Sequence, residues 1–96
     1  MPTYVARVRG TTQGAQNIKE SPTRLDAAKK GFAAEGVKIL HFFMTTGTHD
    51  MVIISEAPTD EAKAMAMLTQ IAKGGITTQT SRAFTEEEYR AIIGGL

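Results

Sequence analysis

The succession of alternating and helically spaced segments predicts an α+β fold, β-α-β-β-α-β followed by a short helix, and three observations carry that prediction. Two apolar runs, 37–46 and 50–57, flank Gly47-Thr48-His49-Asp50, the pattern of a β-hairpin. A stretch of helical period lies on each side of that hairpin, each ended by glycine. Segments of period two open the chain and follow the second helical stretch.

In chain order, residues 3–10 alternate, with Tyr4, Ala6 and Val8 on one side and Val5, Arg7 and Arg9 on the other. Thr11-Thr12-Gln13-Gly14 breaks the strand, and 15–20 read as a short helical segment anchored by Ile18. Ser21-Pro22 reads as the start of the first long helix, the serine capping it and the proline at the first helical position, where its missing N–H costs nothing. Leu25, Ala28 and Phe32 form its apolar stripe over 22–35, and Gly36 stops it.

In the hairpin, a two- or four-residue turn places Leu40, Phe42 and Met44 on the face of Met51 and Ile53. It places Ile39, His41 and Phe43 with Val52 and Ile54. Both faces are apolar. Thr59 then caps a second helix with Asp60 and Glu61 in its first turn, where the helix dipole favours carboxylates. Ala62, Met65, Ala66, Leu68, Ile71 and Ala72 give a broad apolar stripe, and Gly74-Gly75 ends the helix. Residues 76–84 alternate again and are rich in threonine, but polar on both faces, as expected of an edge strand or an interface. Thr85-Glu86-Glu87-Glu88 is a capping box that starts an amphipathic tail carrying Tyr89, Ile92, Ile93 and Leu96.

Two β-α-β units joined by a hairpin make the ferredoxin-like arrangement, an antiparallel four-stranded sheet with both helices on one face. The chain of 96 residues is expected to be a single domain spanning 1–96. The apolar face opposite the helices needs cover, which predicts a homodimer or a larger closed oligomer. A net charge of +1 gives no electrostatic case for nucleic acid or an anionic membrane. The absence of cysteine removes disulfides, thiolate metal ligands and cysteine nucleophiles. Neither a secretion signal nor a membrane span is legible, so a cytoplasmic location is expected.

Several separated segments together resemble one family. They are Met1-Pro2-Thr3-Tyr4, Asn17-Ile18-Lys19-Glu20-Ser21-Pro22-Thr23-Arg24-Leu25, the 47–50 turn, Glu56-Ala57-Pro58 and Arg82-Ala83-Phe84-Thr85. Across nearly the whole chain the sequence resembles the GYD-domain family, short prokaryotic proteins named for a Gly-Tyr-Asp signature. The resemblance implies a ferredoxin-like fold related to dimeric α/β barrels, and it implies no particular activity. His49 stands where the family has its tyrosine.

Two histidines, one aspartate and three arginines are the candidate site residues. His49 and Asp50 would form a proton-transfer or ligand-orienting pair, since histidine titrates near neutral pH and a carboxylate can fix its tautomer. Direct cooperation requires a distorted turn, because neighbouring strand residues point to opposite faces. The plain reading of the same turn is structural: glycine takes positive φ and Asp50 binds backbone amides. His41, between Leu40 and Phe42, is either a packed interface histidine or a group facing the cavity between subunits. Arg7, Arg9 and Arg82 would line one cavity and hold an anionic group. No metal-ligand spacing, phosphate loop or nucleophile elbow is present, and no cofactor is predicted.

The first functional expectation is an oligomeric module binding a small anionic or aromatic metabolite without catalysis. The second, by fold analogy, is a cofactor-free monooxygenase or isomerase with His41 or His49 moving a proton. The third is a structural or protein-interaction subunit.

Overall fold

A computed structural model describes residues 1–96. Strand β1 (Thr3–Gly10) leads into a short helix α1 (Thr12–Gln16), a 3-10 turn (Ile18–Glu20) and the long helix α2 (Ser21–Ala34). Strands β2 (Lys38–Met44) and β3 (Met51–Glu56) form the hairpin, followed by α3 (Asp60–Ile71), β4 (Ile76–Ala83) and α4 (Glu86–Gly94). The four strands form one antiparallel sheet in the order β2-β3-β1-β4, the ferredoxin-like arrangement. No helix is long and apolar enough to cross a membrane.

The register decides the two faces of the sheet. Ala6 lies opposite Ile53 and Thr80, and Tyr4 opposite Ser55 and Arg82, so these side chains share the face covered by α2 and α3. Phe32 from α2 and Ala66 and Met67 from α3 close over Tyr4, Ala6, Val8 and Ile53 to make the core. Arg7 lies opposite Val52 and Gln79, and Val5 opposite Ile54 and Ser81, so those side chains share the other face. That second face has no cover within the chain, and β4 is an edge strand as its polar alternation predicts.

Four local expectations are corrected. Ser21 is not a cap: it has helical dihedrals as the first residue of α2, because the 3-10 turn over Ile18–Glu20 runs straight into the helix. Ile18 anchors nothing and is 62 % exposed. A register shift between Ile39 and His41 leaves Leu40 as an extra residue, so Ile39 lies opposite Ser55 on the helix-covered face, and only His41 and Phe43 stay with Val52 and Ile54. Such a bulge also makes an edge strand a poorer template for further pairing.

The fourth correction concerns α3. Its buried residues are Lys63, Ala66, Met67 and Gln70, whereas Met65 and Leu68 of the predicted stripe face solvent. Small Ala66 lets the helix approach the sheet, and the methylenes of Lys63 and Gln70 serve as apolar packing, with the Lys63 ammonium bonded to Ser55 Oγ inside. One further contact ties the elements together. Thr11 donates through its backbone N to Gly75 O (3.0 Å) and through Oγ1 to Gly74 O (2.8 Å), and buried Gly14 lies so close to Gly75 that a Cβ there would collide with its carbonyl oxygen.

Candidate functional site

The 45–50 turn is a structural clasp. Thr45 N donates to Asp50 O (2.8 Å), Thr45 Oγ1 donates to His49 O (2.7 Å), and Gly47 has φ +99 as the turn requires. Asp50 then reaches the end of β1, its N donating to Val8 O (2.8 Å) and its Oδ2 accepting from Gly10 N (2.7 Å). The Arg9 guanidinium donates twice to Thr48 O, at 2.9 and 2.8 Å. Asp50 and Arg9 are thereby engaged with backbone, and His49 meets Asp50 through no side-chain hydrogen bond.

The predicted arginine cluster is divided. Arg7 and Arg9 lie on the uncovered face, while Arg82, opposite Tyr4, lies on the helix-covered one. His41 joins Arg7 on the uncovered face, two strands away from it, and is exposed with its ring stacked on Phe43 (centroids 6.1 Å apart). His41 also borders an open groove of about 410 Å³ between the β2 edge and α2, with Lys29 and Lys38 on its rim. The basic groups of that groove are all exposed.

The arrangement of perturbed groups lies elsewhere, where α3 crosses the helix-covered face beside β4. A shallow cleft of about 370 Å³ there is lined by Tyr4, Asp60, Lys63, Met67, Leu68 and Arg82. Lys63 is only 2 % exposed, and its Nζ donates to the buried Ser55 Oγ (2.9 Å). That ammonium lies 4.8 Å from the Phe32 ring centroid and 6.0 Å from that of Tyr4, so two aromatic faces and one hydroxyl are its surroundings. Burial lowers its pKa to about 8, with no carboxylate beside it to restore the charge.

Tyr4 donates its hydroxyl to Asp60 Oδ1. Burial, and then the hydrogen bond and negative charge of Asp60, push the phenol up to about 12. Arg82 places its guanidinium 5.8 Å from the Tyr4 ring and 4.6 Å from that of Phe84. It donates to the backbone oxygens of Thr3 and Ala83 and pairs with Glu88 at 3.6 Å. Two cations thus flank one buried tyrosine ring, at the edge of a cleft whose far wall is apolar. Chemically this suits a small anion with an apolar body.

Of this group only Arg82 is a candidate from the sequence. Asp60 is legible there as a first-turn carboxylate of α3, and Tyr4 as an inward strand residue, but nothing in the sequence joins them. The overlooked signal is Lys63 itself, at 63 in the series 63, 66, 67 and 70, which repeats with helical spacing as well as the apolar series does.

Comparison with known proteins adds a family and a fold. A family model described as GYD domain matches residues 4–93. No curated protein matches the chain. Among solved structures, the crystal structure of TTHA0845 from Thermus thermophilus is similar with a TM-score of 0.56 and 20% sequence identity, covering 88% of this chain and 95% of that one. At that identity the likeness concerns the fold alone.

Proposed function

The chain belongs to the GYD domain family, and from that premise we propose that it is an oligomeric module that binds a small anionic metabolite, without catalysis, in the cleft between α3 and the sheet. The observation that carries this reading is the Lys63 ammonium, buried without a carboxylate and separated from Arg82 by the Tyr4 ring. A buried unpaired cation costs several kcal/mol, and an anion beside it recovers that cost as binding energy. Met67 and Leu68 supply an apolar wall for the body of the ligand, whether aliphatic or aromatic.

The oligomeric part is supported by the uncovered sheet face, where Val5, Val52 and Ile54 are adjacent and Phe43 is 54 % exposed. Two hydrogen-bonded strand rows of apolar side chains are more than a monomer ordinarily leaves in water, and self-association through this face removes them from it. The proposal includes neither nucleic acid nor membrane among the partners, and no cofactor.

The test is a thermal-shift series with benzoate, oxalate and inorganic phosphate on the natural chain, Lys63→Met and Arg82→Gln. A concentration-dependent rise in Tm is expected for the natural chain with at least one of the three, and loss of that rise in both variants. Rises that survive both substitutions, or no rise with any of the three anions, would overturn the reading. The enzyme alternative has no comparable support, since Asp50 and Arg9 are bound to backbone and His41 and His49 share no partner.

A further inference from the structure

Thr80 and Arg82 of β4 lie opposite Ala6 and Tyr4 on the helix-covered face, yet Thr80 is exposed and Arg82 only half-buried. Helix α3 therefore leaves this strip of β4 open, and the exposed Ala64 and Leu68 form the opposite lip. The cleft enters between the two lips, and Lys63 forms part of its wall. A small molecule that enters meets an amine to which no carboxylate is bonded, since the nearby Asp60 is occupied by the Tyr4 hydroxyl.

Such an amine can do more than attract an anion. Neutral amines attack carbonyl carbons, and a lysine desolvated among apolar groups is activated for that attack. Burial lowers the Lys63 pKa to about 8, which leaves roughly a tenth of it as free amine at pH 7.

We propose that Lys63 captures an aldehyde that carries a carboxylate, its Nζ forming a reversible imine with the carbonyl carbon while the carboxylate lies against Arg82. The inference rests on the reading of this cleft given above and deepens it by naming the ligand's second functional group. In the first step the Nζ lone pair forms the C–N bond and the carbonyl π pair moves to oxygen. A proton passes from nitrogen to that oxygen, and Ser55 Oγ, 2.9 Å from Nζ, is placed to relay it. The nitrogen lone pair of the resulting carbinolamine then expels hydroxide, which takes the remaining nitrogen proton and leaves as water. Hydrolysis returns the aldehyde, so capture is stoichiometric and in keeping with a binding module.

The geometry selects this class of ligand. Lys63 Nζ and Arg82 Cζ lie 6.0 and 5.8 Å from the Tyr4 ring centroid, close enough for one ligand the size of a substituted benzoate to reach both. Glu88 pairs with Arg82 at 3.6 Å, and both side chains are partly exposed, which leaves guanidinium N–H groups for a ligand carboxylate. Met67 and Leu68 face the body of the ligand.

The test incubates the natural chain with para-formylbenzoate, reduces it with sodium borohydride and maps the product by peptide mass spectrometry. Hydride reduction turns the imine into a stable secondary amine, so the modified residue is read directly. The exposed Lys19, Lys29, Lys30, Lys38 and Lys73 are internal controls. One reduced adduct on Lys63 is expected, forming about tenfold faster than with benzaldehyde, and Arg82→Gln should erase that difference. Lys63→Met should lose the adduct. A chain whose Tm rises with benzoate but which gives no adduct on Lys63, or adducts only on the exposed lysines, would overturn the imine and leave the anion-binding reading standing. Equal rates with the two aldehydes in the natural chain would overturn the carboxylate's place at Arg82. No rise in Tm with any anion would instead overturn the reading on which the inference rests.

Discussion

The Lys63 ammonium donates to Ser55 Oγ at 2.9 Å inside the core, with no carboxylate beside it. A lysine on the buried side of a helix normally brings an acid with it or extends to the surface. Here it does neither, and its surroundings are the rings of Phe32 and Tyr4.

That relationship makes stability depend on pH in a defined window. Lys63 falls from 10.5 to about 8 on folding, so between those values the unfolded chain binds the extra proton and stability rises with pH, by about 1.4 kcal/mol per unit. Tyr4 rises from 10.0 to about 12, so its contribution is complete below pH 10 and is lost as pH climbs toward 12. Denaturant midpoints at constant ionic strength should therefore climb from pH 8 to a maximum near pH 10. A midpoint that falls across pH 8 to 10 would contradict the buried-ammonium picture.

Lys63→Met keeps the methylene packing and removes the charge. It should raise stability at pH 7 by about 1–3 kcal/mol and flatten the rise above pH 8. Urea unfolding followed by circular dichroism measures both. Since the same substitution is expected to abolish anion binding, gain of stability and loss of binding would occur together, which separates function from folding.

Asp50→Ala removes the acceptor of Gly10 N and loosens the clasp between the hairpin and β1. A loss of about 1–2 kcal/mol is expected. His49→Ala, which removes no side-chain hydrogen bond, should change stability by less than about 0.5 kcal/mol. Equal losses in the two variants, by chemical denaturation, would argue against the clasp as the role of this turn.

Gly14→Ala drives a methyl group into Gly75 O, backbone against backbone. Separating α1 from the turn before β4 should cost about 2–3 kcal/mol. Calorimetry should show a fall in Tm of roughly 10 °C or more, and amide exchange should show Thr11 N, bonded to Gly75 O, losing protection first.

Thr85→Ala leaves Glu88 N without its acceptor and ends the reciprocal cap. The backbone hydrogen bond from Thr85 is also the main cause of the lowered pKa of Glu88. The variant should destabilise α4 by about 1 kcal/mol, readable by NMR amide exchange, while the Glu88 carboxyl stays below its ordinary value because the Thr85 N–H that holds it there survives the substitution.

The sequence by itself determined the element order, the antiparallel sheet and the capping box of α4, because alternation, helical period and cap residues are local signals that neighbouring residues suffice to express. It also placed glycine and aspartate in the signature turn. It missed the face of α3, because its apolar and buried series overlap by only part of a turn and only the sheet beneath decides which one is inside. It missed the bulge at Leu40 for the same reason, since one extra residue leaves the apolar character of β2 unchanged. The division of Arg7 and Arg9 from Arg82 depended on the β1–β4 register, a pairing between residues about 75 positions apart. The cluster of Tyr4, Asp60, Lys63 and Arg82 is the extreme case: four residues from two strands and one helix become neighbours only when the crossovers are closed, and the desolvation that raises the pKa of Tyr4 and lowers that of Lys63 exists only in the folded chain.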